Sequence, residues 1–241
     1  MIPRRIHYCW FGRRPLPLQA KRCMASWAYH LPDYELVRWD ESNFDPASHP
    51  FTAAAYAAGR YAFVSDYVRM LVLGSCGGIY LDVDVEVRAR FDELMADEFF
   101  IGLEDRQRFA TSIIGAVEDY WLPQAMLEYY DRMSFDDRHL AEMVNVNQVS
   151  RLLLEYGFSG EDSDQMISAA HVLRIGRLAD AKGGASSAVK QITRHLYAGT
   201  WRKRHDKTLV SRLARGARKL PEHIAAWAVL QRYRLAIALR R

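Results

Sequence analysis

Asp82 and Asp84 stand two residues apart in the stretch "GGIYLDVDVEV", Gly77 to Val87. Ile79, Leu81, Val83, Val85 and Val87 alternate with them, a pattern that predicts a β-strand. Residues i and i+2 of a strand share one face, roughly 7 Å apart. The two carboxylates then lie side by side, with Val83 and Val85 turned into the core. Aspartate is depleted in strands and costly to bury without a partner. Two neighbouring carboxylates also repel and raise each other's pKa. A divalent cation removes that conflict, because Mn²⁺ and Mg²⁺ prefer carboxylate oxygens and are commonly shared with substrate phosphates. An edge strand with a solvated outer face would carry the same two residues, and so short a motif leaves both readings open.

Upstream, "FVSDYVRML" sets Asp66 and Arg69 three residues apart, on one helical face. An exposed pair of this kind would be an ordinary surface ion pair. Here Phe63, Val64, Met70, Leu71 and Val72 surround it, so on a largely buried helix the pair reads either as a structural ion pair or as one with further partners or a ligand. Asp66 suits the hydroxyls of a ribose, and Arg69 suits a phosphate or a sugar hydroxyl. Trp10 follows the alternating run "RRIHYCW" and offers either a core aromatic or a flat platform for a base. In "HLYAGTW", His195, Thr200 and Trp201 gather before a basic run. His195 reads as a metal ligand or as a plain strand histidine.

The elements that must position these residues alternate between strand and helix. Strands are predicted near 5–10, 34–40, 77–87, 98–105, 111–118, 170–176 and 192–199. Helices are predicted over 18–30, 51–58, 61–75, 122–133 and 145–156, with Gly77 and Gly78 stopping the third of them. That alternation argues for an α/β sheet. Ligands of such sheets sit beyond the carboxyl ends of the strands, where Trp10, Asp40, Asp82 and Asp84 all fall.

The 241 residues allow one large domain with an appendage, and a core large enough to need no disulfide or metal. Cys9, Cys23 and Cys76 form no CxxC pair, which argues against a disulfide framework and a structural zinc site. The N-terminus lacks an apolar signal region, and no run approaches the roughly 20 apolar residues of a span. A cytoplasmic protein, or one held peripherally at the inner face of a membrane, is expected.

The net charge of +4 conceals an asymmetry: residues 202–241 carry +10 and the rest carries −6. A mildly acidic body argues against nucleic acid as a partner. We divide the chain into a body, 1–201, and a basic tail, 202–241, read as a pair of amphipathic helices on either side of Pro221. Such a tail suits an anionic membrane surface, or packing on the body or a second copy.

Together, "IPRRIHYCWFG", "FVSDYVRMLVLGSCGGIYLDVDVEV" and "HLYAGTW" resemble, in order, the motifs of the DXD-containing sugar transferases of glycosyltransferase family 32. That family includes yeast-type α-mannosyltransferases and bacterial capsule and lipopolysaccharide enzymes, and is similar to the sugar-transferring domains of large clostridial toxins. The matching motifs span residues 2 to 201. The resemblance implies a GT-A-like nucleotide-sugar-binding sheet with flanking helices. It implies a nucleotide-sugar donor, UDP- more than GDP-linked, and a glycan or lipid-linked acceptor. It implies a Mn²⁺ or Mg²⁺ cofactor and retention of anomeric configuration.

By the same resemblance, Trp10 stacks on the base, while Asp66 and Arg69 hold ribose and donor sugar. Tyr80 lies near the donor, Asp82 contacts ribose or sugar, and Asp84 ligates the metal with His195 as a further ligand. Thr200 and Trp201 close over the diphosphate, with Thr200 standing where serine is common. Glu104 and Asp105 end a strand and are candidates to face the acceptor. Two other classes compete: a metal-dependent phosphohydrolase, which would need a richer Asp/His set, and a non-catalytic sugar- or membrane-binding module, which would not need S-D-x-x-R beside D-x-D.

Overall fold

The computed structural model describes residues 1–179, 189–197 and 209–239. Strand β1 (Arg5–Cys9), helix α1 (Leu18–His30) and strand β2 (Glu35–Trp39) form the first unit. Helices α2 (Pro50–Ala57) and α3 (Tyr61–Cys76) lead into β3 (Gly78–Leu81) and β4 (Val85–Val87). Then come β5 (Phe99–Asp105), β6 (Arg108–Ala116), α4 (Trp121–Asp131) and α5 (Asn145–Tyr156). Short strands β7 (Gln165–Ile167), β8 (Ala170–Leu173) and β9 (Thr193–His195) precede the long helix α6 (Leu209–Ala238).

The main sheet has seven strands in the order β2-β1-β3-β6-β5-β8-β7. β1 runs parallel to β2 and β3, whereas β6 is antiparallel to both β3 and β5. The carboxyl ends of β1, β2, β3 and β5 therefore open on one edge of the sheet, together with the start of β6. This edge receives Trp10, Asp82, Glu104 and Thr111. Side-chain alternation divides the core between the two faces. Tyr80, Ile101 and Ile114 pack under Phe63, Val64, Leu122 and Val149. Ile79, Leu81, Phe100 and Ile113 pack on the other face with Trp27.

The strand expected over 77–87 is broken. β3 stays in the main sheet, and Asp82 N–H still donates to Ser112 O at 2.9 Å. The chain then turns, with Val85 N–H donating to Asp82 O at 2.9 Å. β4 leaves to pair with β9 in a separate two-stranded sheet. The turn succeeds because Val85 has a stronger anchor elsewhere: it is fully buried, and its carbonyl accepts from Trp27 Nε1 at 2.7 Å. Tertiary burial thus overrides the local alternation. Val83 is only partly buried, at the margin of the α1-side core.

Gly77 and Gly78 turn the chain out of α3 with φ of +57° and +111°. A Cβ at Gly77 would lie 2.7 Å from Glu118 N, and one at Gly78 2.9 Å from Arg5 O. Both positions require glycine on conformation and on space. The basic tail also departs from expectation. In place of two helices, α6 runs through Pro221. Ala226 and Leu230 are buried, and the Tyr233 ring lies 5.5 Å from that of Tyr29 on α1. No helix among the described residues is long and apolar enough to cross a membrane.

Candidate active site at the sheet edge

Arg69 is the centre of the arrangement. Three-residue spacing on α3 puts it on the same face as Asp66, and that face meets β3. Its guanidinium is almost wholly buried. Nη1 donates to Thr111 O at 2.5 Å, while Nη2 donates to Asp66 Oδ1 at 3.0 Å and to Asp82 Oδ1 at 3.1 Å. Its Cζ sits 4.4 Å from the centroid of the Tyr80 ring, a cation–π contact in a desolvated setting. Tyr80 O–H adds a 3.0 Å hydrogen bond to Asp82 Oδ1. Tyr80 and Asp82 thus reach the same face of β3, as the two-residue period requires.

Two carboxylates and a phenol crowd one guanidinium, and burial shifts their chemistry. Desolvation pushes the Asp66 carboxyl up to about 7 against the attraction of Arg69, with Asp82 adding to the rise. Asp82 is raised as well, by burial first and by Asp84, while Arg69 and His195 pull it down. Tyr80 is held far above the ordinary phenol range by burial.

The turn after β3 brings Asp84 to the antiparallel pairing of β4 with β9, where Val85 faces His195. His195 Nε2 lies 3.2 Å from Asp84 Oδ1. Burial is the largest single influence and lowers the imidazole pKa, but the hydrogen bond and charge of Asp84, with the charges of Asp82 and Glu104, together raise it. One ligand atom each from Asp82, Asp84 and His195 fall within 4.8 Å of one another. Two carboxylates and an imidazole fit Mn²⁺ or Mg²⁺ in donor type. A cation there would relieve the repulsion by which Asp84 raises the Asp82 carboxyl, and would favour the neutral imidazole of His195 as a ligand.

Around this cluster the predicted residues separate. Trp10, partly exposed, stands at the end of β1 on the same edge, its Nε1 donating to Arg14 O at 2.6 Å. Glu104, at the end of β5, accepts from Tyr197 O–H at 3.4 Å. Asp105 is occupied by Arg108, at 2.6 Å, and Asp40 by Arg38 and Ser42. Thr200 and Trp201 lie outside the described residues, as does the glycine-rich stretch 181–188.

Three contributors were not apparent in the sequence. Tyr197, with φ of +47°, lays its ring 4.0 Å from His195; an aromatic two residues after that histidine was its only signal. Thr111 serves through its carbonyl, which no side-chain pattern can reveal. His7 accepts from Trp39 Nε1 at 3.1 Å and donates from Nε2 to Gly77 O at 2.9 Å. It thereby braces the glycine turn that carries α3 into β3.

Comparison with known proteins follows the same residues. Residues 17–101, which include Asp66, Arg69, Asp82 and Asp84, match a family described as "glycosyltransferase sugar-binding region containing DXD motif". Residues 17–101 thus carry a glycosyltransferase sugar-binding region. The Subversion of eukaryotic traffic protein A of Legionella pneumophila is 27% identical to the chain, over 42% of it and 20% of that protein. The chain therefore corresponds to about a fifth of the length of that curated relative. The PaToxG glycosyltransferase superposes with a TM-score of 0.53 at 18% identity, covering 65% of this chain and 69% of that one. It shares the α/β fold of GT-A type. The galactosyltransferase LgtC, in complex with donor and acceptor sugar analogs, gives a TM-score of 0.35 at 16% identity, covering 71% and 87%.

Proposed function

We propose that this glycosyltransferase domain moves a hexose from a nucleotide-diphosphate sugar, UDP-linked in preference to GDP-linked, to a glycan or lipid-linked acceptor. Synthesis of capsule, lipopolysaccharide or another surface polysaccharide is the role that fits, within the family 32 branch the motifs resemble. The observation that carries the reading is the buried Asp66–Arg69–Asp82 cluster set against the Asp82–Asp84–His195 trio. A phosphohydrolase would need a larger ligand set, and a binding module would not need so much buried charge.

Asp84, Asp82 and His195 would hold Mn²⁺ or Mg²⁺. When bound, such a cation supplies stabilisation of the negative charge that develops on the departing diphosphate. The C1–O bond to the diphosphate breaks and the leaving oxygen takes the electron pair, while the acceptor hydroxyl bonds to C1 and its proton passes to the departing diphosphate. A nucleoside diphosphate needs no strong acid to leave, so the paired carboxylates are free for binding, unlike those of a retaining hydrolase.

Both terminal nitrogens of Arg69 are engaged within the protein. Its role in this reading is therefore to hold Asp66 and Asp82 in place for ribose and sugar hydroxyls. Trp10 would stack on the base, and Tyr80 would fix Asp82 beside the donor. Glu104 is the carboxylate we place towards the acceptor, because Asp105 is taken by Arg108. Thr200 and Trp201 would close over the diphosphate, a role that rests on the resemblance alone.

The test is a panel of UDP- and GDP-sugars with Mn²⁺ or with EDTA, read as nucleotide release. Slow, metal-dependent turnover of one donor is expected. No release from any donor, together with no binding of UDP or GDP, would overturn the reading.

A further inference from the structure

α6 has two apolar sides, and only one is covered. Ala226, Leu230 and Tyr233 turn towards α1, with Ala226 and Leu230 buried. On the opposite side Ile224, Trp227, Leu235 and Leu239 are 60%, 56%, 63% and 79% exposed. Their spacing of three, eight and four residues keeps them on one stripe of a 3.6-residue helix. Arg232 and Arg234 are exposed and fall on opposite margins of that stripe. A single exposed leucine needs no explanation, but a stripe of four large residues, including a tryptophan, does.

We infer that this stripe of α6 is a docking surface for an anionic lipid bilayer, lying in the plane of the interface. Aliphatic side chains would enter the headgroup boundary, Trp227 would sit at its level, and the arginines would meet lipid phosphates. Charge selects this occupant over a second copy of the chain. A two-fold contact between two copies sets the same patch against itself, so two helices that each carry Arg232 and Arg234 at the margins of the stripe would bring a net positive charge to both sides of the seam. Residues 202–241 carry +10, which compounds that repulsion. An anionic leaflet pairs the same charges. The inference stands on the helix alone, so failure of the proposed sugar transfer would leave it intact, and the reverse also holds.

The experiment uses the full chain and vesicles of phosphatidylcholine, alone or with one third phosphatidylglycerol, and measures co-sedimentation. Binding to the anionic vesicles should exceed binding to neutral ones by about tenfold or more and should fall at high salt. Leu235→Glu with Leu239→Glu should abolish it without lowering the melting temperature, because both side chains are exposed. As a second readout, vesicles should blue-shift the emission of the full chain, and Trp227→Phe should remove that shift. No binding of the full chain, or equal binding by the double variant, would overturn the inference. So would a concentration-dependent dimer, lost in the double variant, without any vesicle binding.

Discussion

Asp84 occupies the position where one carboxylate must serve two masters in turn. In the protein alone it holds His195, at 3.2 Å, and the imidazole keeps its proton more tightly for it. In the proposed reaction it holds the cation. Its side chain contributes nothing to the hydrophobic core, and its backbone carbonyl, not its carboxylate, accepts from Leu196 N–H at 3.0 Å. Removing the carboxylate should therefore separate chemistry from folding. Asp84→Ala should cut donor turnover by about 100-fold or more, a loss of roughly 3 kcal/mol of transition-state stabilisation, and should weaken Mn²⁺ binding in a calorimetric titration. Its circular dichroism spectrum and melting temperature should stay close to those of the parent. Full turnover by the variant would remove Asp84 from the set of metal ligands.

At the scale of elements, α3 is where acid, base and glycine turn are assembled. Asp66 gives it a pH dependence whose sign is set by burial. The folded state holds the Asp66 proton up to about 7, against 3.8 ordinarily. Stability is therefore greatest below the ordinary value and declines as pH rises through that window, because the unfolded chain ionises first. Asp66→Asn removes the decline. Between about pH 5 and about pH 8 the variant should gain roughly 2 kcal/mol on the parent in urea unfolding, while its affinity for UDP falls. A difference that does not change with pH would show that Arg69 keeps Asp66 ionised throughout. The pairing behind this was legible before the fold was known: three-residue spacing joined Asp66 to Arg69, two-residue spacing put Tyr80 and Asp82 on one face, and the helix over 145–156 has the limits its pattern implied. The break between β3 and β4 was not legible. Alternating Leu81, Val83 and Val85 look like one strand, and neither glycine nor proline marks the turn at Val83. What decides it is the distant pair of Trp27 and Thr193–His195, which takes Val85–Val87 into another sheet. The carbonyl of Thr111, the brace of His7 and the ring of Tyr197 were hidden for the same reason: each acts across more than 60 residues or through the backbone.

For the whole molecule, the division of labour runs through α1. One side of α1 buries Trp27 against the sheet and holds β4, so it fixes the turn that presents Asp82 and Asp84. The other side receives α6 through Tyr29 and His30 against Tyr233. The part of α6 that holds Ala226, Leu230 and Tyr233 thus packs on the folded body. Composition could assign the tail's charge but not this contact, which joins residues about 200 positions apart in the chain. Removing 206–241 outright would uncover the α1 face, so point substitutions are the cleaner probe of this arrangement. Leu230 is 4% exposed, and Leu230→Ala should cost about 2–5 kcal/mol, the range for emptying a buried leucine site. The loss should register as a lower urea midpoint with the slope unchanged. Because α1 also carries β4, the same variant should weaken Mn²⁺ binding at temperatures near its transition while leaving it intact well below. Unchanged stability in Leu230→Ala would mean that α6 rests on the body without being part of its cooperative core, and the metal-binding turn would then owe nothing to the tail.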